Sequence, residues 1–258
     1  MPTRALIFAF VAATPPLMVI LWERSIPLAL ALFALAHALI LLPIFVPRLT
    51  WLGPVVTRFD TEARSVWLTI DDGPDPRDTP LILDLLDRHR ARATFFVKGE
   101  LAARHPEELR RIVDRGHTLG NHSHTHPAAW SWCMGQGRLG REVRECNEAI
   151  AAATGAAPSI FRPPVGIKSP ALHPALRRLG MTLVNWTIRG FDGVAGFDPR
   201  VVRDRILTRL RPGAIIVMHQ GISDPTGAPL SPVAIEAVLR GLDERGYTCE
   251  IPDLERLR

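Results

Sequence analysis

Leu68-Thr69-Ile70-Asp71-Asp72-Gly73-Pro74 is the stretch of sequence that decides the fold. Its apolar half is typical of a buried β-strand and its Gly-Pro end is typical of a turn, so two carboxylates stand where the strand stops. Because successive side chains of a strand point to opposite faces, Asp71 and Asp72 diverge and each can take a different role. Taken alone, the string also fits a plain turn followed by a helix cap.

Around this stretch the chain alternates short apolar runs with amphipathic segments, which is the rhythm of repeated βα units. The predicted strands span 65–70, 93–97, 117–120, 159–161, 182–184, 214–218 and 247–251. The predicted helices span 79–89, 107–115, 139–153, 171–179, 199–210 and 232–244. This pattern predicts an α/β fold whose parallel strands close into a barrel-like form, with the chemistry at the carboxyl ends of the strands.

A histidine cluster follows the third predicted strand, in Gly120-Asn121-His122-Ser123-His124-Thr125-His126. His122 and His126, with Asp72 as a carboxylate from elsewhere, would make a three-ligand site with open positions for water and substrate, as in catalytic zinc sites. His124 is an alternative ligand, and a set of solvated loop histidines is the reading without chemistry. No cysteine stands at ligand spacing, which disfavours a structural zinc site.

Two further candidates follow later strands. Arg162, in Phe161-Arg162-Pro163-Pro164-Val165-Gly166, carries a fork that can hold the Asp71 carboxylate and orient it. His219 ends the apolar run from Ile215 and stands where an acid at the barrel rim is expected, although a lone histidine there can also be structural. Asp192 is the candidate partner that would keep His219 in its charged, proton-donating form.

The hydrophobic share of 47% in 258 residues is above what a soluble enzyme needs, and the excess is concentrated in the first fifty positions, which points to membrane contact. Residues 5–22 and 26–46 are each about as long as the hydrocarbon core of a bilayer, although Pro15-Pro16 would kink the first segment or make it re-entrant. We therefore predict a membrane anchor over 1–50 with one or two helices, a linker over 51–64 and a catalytic domain over 65–258. A cleaved signal peptide fits poorly, because no small-residue cleavage site separates the two segments.

The charge distribution bears on location and on partners. Arg4 precedes the two segments and Arg48 and Arg58 follow them, so the positive-inside bias predicts an inner-membrane hairpin with a cytoplasmic catalytic domain. Loss of the first helix would reverse that orientation. The net charge of +5 fits a basic surface beside an anionic bilayer, and the absence of basic tracts interleaved with aromatics argues against nucleic-acid binding. Three widely separated cysteines fit structural thiols in a reducing compartment.

Taken together and in this order, these stretches resemble the polysaccharide deacetylases with a NodB-homology domain, carbohydrate esterase family four. Thr69 to Pro74 match the family's Thr-Phe-Asp-Asp-Gly-Pro except at Ile70, and Arg162 to Gly166 match Arg-Pro-Pro-x-Gly. His122, Ser123 and His126 match the His-Ser/Thr-x-x-x-His element, and Val217 to His219 match Leu-x-His. The Asp192 element is the looser match, because Gly193 stands where a tryptophan is common.

The resemblance implies a distorted (β/α) barrel that hydrolyses an N-acetyl group from an amino sugar in a glycan, an oligosaccharide or a lipid-linked sugar. It makes Asp71 the general base and His219 the general acid. It makes Asp72, His122 and His126 the ligands of one divalent cation, zinc or another transition metal. The alternatives are an O-deacetylase or a deformylase acting on a lipid-linked sugar, and an inactive membrane-tethered module that binds glycan. The oligomeric state stays open.

Overall fold

The computed structural model describes residues 2–258, with side chains from residue 5 onward. All strand pairs of its central sheet are parallel, in the order β5-β4-β3-β2-β1-β7-β6, with β8 attached to one end of β1. The strands are β1 (Ser65–Gly73), β2 (Ala93–Val97), β3 (Thr118–Asn121), β4 (Ile160–Phe161), β5 (Thr182–Leu183), β6 (Ile188–Arg189), β7 (Ile215–His219) and β8 (Thr248–Cys249). The predicted α/β barrel is confirmed in an incomplete form, because β5 and β6 are the two ends of the order.

Helices cover the sheet and precede it. They are α1 (Pro2–Trp22), α2 (Ile26–Phe45), α3 (Asp78–Arg88), α4 (Gly99–Arg104), α5 (Pro106–Asp114), α6 (Gln136–Thr154), α7 (Leu172–Arg178), α8 (Pro199–Leu207) and α9 (Ser231–Glu244). The sequence analysis missed α4 and β6. Both are too short for a hydrophobic period to show, since α4 has six residues and β6 has two.

The alternation of β1 separates the two faces of the sheet. Val66, Leu68 and Ile70 belong to the core between the sheet and the helices, whereas Trp67 packs on the inner side. Asp71 therefore points to the same inner side as Trp67, two steps of the alternation further along the strand. This places a carboxylate at the carboxyl end of the central strand, inside the incomplete barrel.

The strand is irregular at Asp72. The register pairs Asp71 with Phe96 and Gly73 with Val97, so Asp72 has no partner on β2 and its backbone adopts φ of 75°. A bulge of this kind re-aims a side chain at the end of a strand. The bulge is the local reason that Asp71 and Asp72 can serve one site from different directions.

The N-terminal helices α1 and α2 pack against each other and expose most of their side chains. Both are long and apolar enough to cross a membrane, by length and composition. Helix α1 continues through Pro15 and Pro16, so a re-entrant break at this point is not observed.

The stretch predicted as a linker is packed onto the barrel. The backbone N–H of Val56 donates to Leu183 O at 2.9 Å, and Phe59 N–H donates to Gly213 O at 2.9 Å. Phe59 is buried in the inner cluster that contains Trp67, and Val55 is buried in a second cluster with Leu172 of α7 and Leu183 of β5. These residues therefore join the open edge at β5 to the segment that leads into β7.

Candidate active site

Asp71 and Arg162 form a buried ion pair at the centre of the site. Arg162 Nη1 lies 2.7 Å from Asp71 Oδ1, and neither side chain is more than 3% exposed. Arg162 follows β4, and its backbone N–H donates to Asn121 O on β3, which fixes where the side chain starts. The guanidinium thus reaches across the inner side of the sheet to the end of β1.

Every nitrogen of the Arg162 guanidinium has an acceptor. Nη1 also donates to Thr69 Oγ1, Nη2 donates to Asn185 O, and Nε donates to Val184 O. The Phe96 ring lies 4.0 Å from the guanidinium carbon. Such complete pairing is what a fully buried charge requires, and it holds Asp71 in one orientation with Oδ2 left free of the arginine.

The histidine at position 122 has a defined tautomer. Its Nδ1 lies 2.8 Å from Arg162 O, and since a carbonyl only accepts, Nδ1 carries the hydrogen. In the neutral ring the lone pair is therefore on Nε2, which lies 3.8 Å from Asp71 Oδ2. A backbone carbonyl on the far nitrogen is the usual way to orient an imidazole that binds a metal.

Asp72, His122 and His126 come together, with one potential ligand atom from each lying within 4.8 Å of the others. Asp72 Oδ1 is buried and has no hydrogen-bond partner among the described residues, although His126 Nε2 lies at 3.3 Å and Lys98 Nζ at 3.4 Å. An unsatisfied carboxylate oxygen beside two imidazoles fits a divalent cation. These three residues could therefore hold a metal.

The electrostatics of the same residues agree with that donor set. Burial raises the pKa of Asp72, but the charges of His122 and Lys98 outweigh it and the net pKa is lowered. Burial lowers the pKa of His126 to about 4, with a further contribution from the charge of His122. At neutral pH this gives a carboxylate and a neutral imidazole, which are the protonation states that bind cations.

The loop between the two histidines is shaped by Glu142 of α6. Its carboxylate accepts hydrogen bonds from the backbone N–H groups of His124 and Thr125 at 3.1 and 2.8 Å, and from Thr125 Oγ1 at 2.8 Å. The His124 ring lies under Gly99, where an added Cβ would come within 2.3 Å of its Nδ1. Among the described residues, His124 is outside the three-residue group that could hold a metal.

His219 ends β7 directly beside Asp71 in the register of β1 and β7. Its Nδ1 lies 3.0 Å from Asp192 Oδ1, and its backbone N–H donates to Asp192 Oδ2 at 2.8 Å. Burial lowers the pKa of His219, but the charge and hydrogen bond of Asp192 outweigh it and raise the pKa to about 9. The imidazole is therefore protonated on both nitrogens at neutral pH.

One cavity of about 250 Å³ is lined by the two aspartates and three of the histidines described above, namely Asp71, Asp72, His122, His126 and His219. Arg162 and Asp192 contact these residues without lining the cavity. Its remaining wall is formed by Val165, Trp186, Arg189, Phe191, Gly193, Val194 and Val217. Four lining residues other than glycine have positive φ, namely Asp72, His126, Val165 and Phe191. Strained backbone at several walls of one cavity is typical of a functional site.

The structure adds residues that the sequence analysis missed. Lys98 reaches Asp72 from the end of β2, Glu142 supports the histidine loop, and Arg189 and Phe191 line the cavity. The sequence gives little indication of Glu142, because a glutamate on an amphipathic helix is ordinarily exposed, whereas this one is buried. Arg189 and Phe191 gave no periodic signal, because they lie on and after the two-residue strand β6.

Comparison with known proteins agrees with this geometry. The polysaccharide deacetylase family profile matches residues 58–184. A chitooligosaccharide deacetylase from Sinorhizobium fredii is 37% identical over 201 residues, which are 74% of this chain and 92% of the relative. The peptidoglycan-N-acetylmuramic acid deacetylase PdaA of Bacillus subtilis is 30% identical over 192 residues, covering 73% of this chain and 70% of that protein.

A solved structure agrees as well. The family 4 carbohydrate esterase from Streptomyces lividans, in complex with acetate, superposes with a TM-score of 0.65 and 30% identity, over 75% of this chain and 95% of the esterase. The chain therefore belongs to the polysaccharide deacetylase family, carbohydrate esterase family four, and is a hydrolase of the amide bond of N-acetylated sugars.

Proposed function

We propose that this protein is a membrane-anchored, metal-dependent deacetylase that removes the acetyl group from N-acetylglucosamine units or closely related amino sugars. The observation that carries the proposal is the convergence of Asp71, the Asp72 and histidine group, and His219 on one cavity. The named relatives that act on chitooligosaccharide and on peptidoglycan support the substrate class.

In this proposal Asp72, His122 and His126 hold one divalent cation. A cation bound there would polarise the acetyl carbonyl and lower the pKa of a water molecule. The donor set of one carboxylate and two imidazoles favours zinc, and other divalent transition metals also accept it. The three cysteines are free thiols outside this group.

Asp71 is the general base. Arg162 occupies its Oδ1, so Oδ2 is the oxygen that takes a proton from the attacking water. The water oxygen forms its bond to the carbonyl carbon as that proton leaves. Arg162 acts as a positioning residue, because its own contacts fix the carboxylate without reaching the cavity.

His219 is the general acid. With Nδ1 donating to Asp192, its second N–H is free to protonate the amide nitrogen as the carbon–nitrogen bond breaks. This proton is necessary because an amide anion is too poor a leaving group. The products are acetate and the free amino sugar, and Trp186 and Val217 give the acetyl methyl group an apolar wall.

The anchor is the second part of the proposal. Helices α1 and α2 would form a hairpin in a bacterial inner membrane, and Arg48 and Arg58 after α2 favour a cytoplasmic catalytic domain by the positive-inside bias. A reporter fused after Arg258 distinguishes the two faces. Activity of a reporter that works only outside the cytoplasm would reverse this orientation.

The experiment that tests the function is product analysis with the full chain purified in detergent. Elemental analysis gives the bound metal, and acetate and formate release are measured on N-acetyl, O-acetyl and N-formyl sugars. We expect metal-dependent acetate release from the N-acetyl sugar. Faster release from the O-acetyl or N-formyl sugar would replace this function with the corresponding esterase or deformylase, and glycan binding without any release would mean an inactive module.

A further inference from the structure

The end of the membrane hairpin is fastened to the wall of the catalytic cavity. Lys168 Nζ, on a buried side chain, donates to the backbone carbonyls of Val46, Pro47 and Leu49 at 2.9, 3.0 and 2.7 Å. Asn185 Nδ2 donates to Pro47 O at 2.8 Å. Since Asn185 precedes Trp186 of the cavity wall, the segment that leaves α2 packs behind that wall.

Four exposed arginines lie in the same region. Arg189 lines the cavity, and its guanidinium and that of Arg205 lie 4.0 and 5.4 Å from the Phe191 ring. Arg48, just after α2, donates to Thr187 O. Arg209 follows α8 in sequence. Within residues 5–258, none of the four forms an ion pair with a carboxylate.

Two of these arginines, Arg48 and Arg209, act on Arg189. Burial lowers the pKa of Arg189, and the charges of Arg48 and Arg209 lower it further. A group of positive charges that is not paired with carboxylates favours the binding of an anion over that of a neutral sugar. Guanidinium groups match phosphate oxygens in particular, because their donors form a planar fork.

The mouth of the cavity is also apolar. Val165, Phe191 and Val194 line it with exposed fractions of 53, 46 and 65%. Exposed apolar side chains beside a polar catalytic centre are costly in water and are typical of contact with lipid or with an apolar ligand. Gly166, next to Val165, lies against Pro47 of the segment that leaves α2, since an added Cβ would come within 2.9 Å of the Pro47 ring. A spanning helix that ends at Phe45 brings this segment to the headgroup level of the membrane.

We propose that the sugar is presented on a membrane lipid through a phosphate or diphosphate, which Arg189 and Arg48 bind while the apolar mouth receives the start of the lipid chain. This proposal rests on the deacetylase function and names its substrate class. Arg48 follows the anchor helix α2, and Arg189 lines the catalytic cavity. This order matches a substrate in which the phosphate links the lipid to the sugar. A long soluble polysaccharide would use neither the charge nor the apolar mouth.

The test compares four presentations of N-acetylglucosamine with the full chain in detergent: on a polyprenyl diphosphate, on a phosphate-free alkyl chain of similar length, on a soluble nucleoside diphosphate, and in a chitooligosaccharide. We expect kcat/KM for the first to exceed each of the others by about tenfold or more, since each lacks the phosphate, the lipid or both. Equal or faster turnover of the chitooligosaccharide would overturn the proposal.

Variants separate the phosphate contact from general damage. Arg189→Gln and Arg48→Gln should each raise KM for the polyprenyl diphosphate sugar about tenfold while changing kcat less. Arg189→Lys keeps the charge and should recover part of the loss, and Arg141→Gln, on the exposed face of α6, is the matched control. Equal KM values in Arg189→Gln and in Arg141→Gln would contradict the assignment.

A binding measurement keeps this inference separate from the function. Calorimetry with a short-chain polyprenyl phosphate that carries no sugar should give a dissociation constant about tenfold larger for Arg189→Gln than for Arg141→Gln. If no substrate releases acetate although the lipid phosphate binds through Arg189, the deacetylase function fails and the binding site stands. If acetate is released but the lipid phosphate does not bind, the function stands and this inference fails.

Discussion

Asp192 holds His219 at two points, with Oδ1 at 3.0 Å from the imidazole Nδ1 and Oδ2 accepting the backbone N–H of His219 at 2.8 Å. One carboxylate thereby fixes the end of β7, the ring orientation and the charge of the imidazole. Gly193, next in sequence, lies against the ring, where an added Cβ would come within 3.2 Å. A larger residue after Asp192 would therefore require the imidazole to shift by a few tenths of an ångström.

The first prediction concerns pH. Asp192 raises the pKa of His219 to about 9 against the effect of burial, so the wild-type acid keeps its proton until the pH rises through about 9. In Asp192→Asn the carboxylate charge is lost, and the pKa of His219 should fall well below 9, because burial still lowers it and only the charges of Asp71 and Asp72 still raise it. The alkaline limb of the kcat profile should therefore move to lower pH while the metal content stays the same. An alkaline limb that stays near pH 9 would show that another group sets it.

The second prediction distinguishes the proposed base and acid, Asp71 and His219, from the proposed metal ligand His126. Asp71→Asn and His219→Ala should each lower kcat about a hundredfold or more and retain the metal, because neither residue is a proposed ligand. His126→Ala should lose both metal and activity. Elemental analysis after dialysis and acetate release measure the two properties.

His124→Ala is the matched control for that comparison, because it removes an imidazole from the same loop but outside the three-residue group. It should retain the metal. Equal metal loss in Asp71→Asn, His219→Ala and His126→Ala would remove the division into base, acid and ligands.

Most of the fold could be predicted from the sequence, because buried parallel strands appear in it as short apolar runs. The strand over 93–97 was predicted with its observed bounds, since all five of its residues are buried and apolar or β-branched. The strand β6 could not be predicted, because two residues show no period and its pairing with β7 depends on distant residues. The bulge at Asp72 was equally invisible, although the divergence of the two aspartates was expected.

A site residue could be predicted where it directly follows or ends a long apolar strand. It was harder to predict where it reaches the site through contacts between distant segments. Asp71 and His219 end β1 and β7, so their convergence follows from a parallel register. Lys98 follows the well-predicted strand over 93–97, but its ion pair with Asp72 on β1 depends on the packing of the two strand ends. Arg189 reaches the cavity from the two-residue strand β6, which gave no signal in the sequence. The docking of Lys168 on the end of α2 depends likewise on a contact between segments more than a hundred positions apart.

The third prediction concerns the buried ion pair. Arg162→Gln leaves Asp71 buried without its partner, which should cost about 3 kcal/mol or more in the free energy of unfolding and should lower activity as well. Thr69→Val removes one acceptor of the same guanidinium and the hydrogen bond that the hydroxyl donates to Ile216 O, but it keeps the charge pair, so it should cost only about 2 kcal/mol. Denaturant unfolding of the full chain in detergent measures both. Equal costs for the two variants would mean that the charge pair does not matter to stability.

The fourth prediction concerns Glu142, which touches no proposed ligand side chain. Its carboxylate accepts hydrogen bonds from the backbone N–H groups of His124 and Thr125, between the two histidines of the proposed metal site, and a third from the Thr125 hydroxyl. Glu142→Ala should therefore raise the zinc dissociation constant about tenfold or more, because residues that orient ligands have effects of this size.

Glu145→Ala is the matched control for Glu142, because Glu145 lies exposed on the same helix. It should bind zinc like the wild type, and Glu142→Gln, which keeps one acceptor oxygen, should fall between the two. Competition with a chromogenic chelator gives the dissociation constants, and the unfolding temperature of each metal-free variant shows whether the fold is intact. Equal zinc affinity in Glu142→Ala and Glu145→Ala, with both folded, would mean that the Asn121 and Ser123 hydrogen bonds alone position the loop.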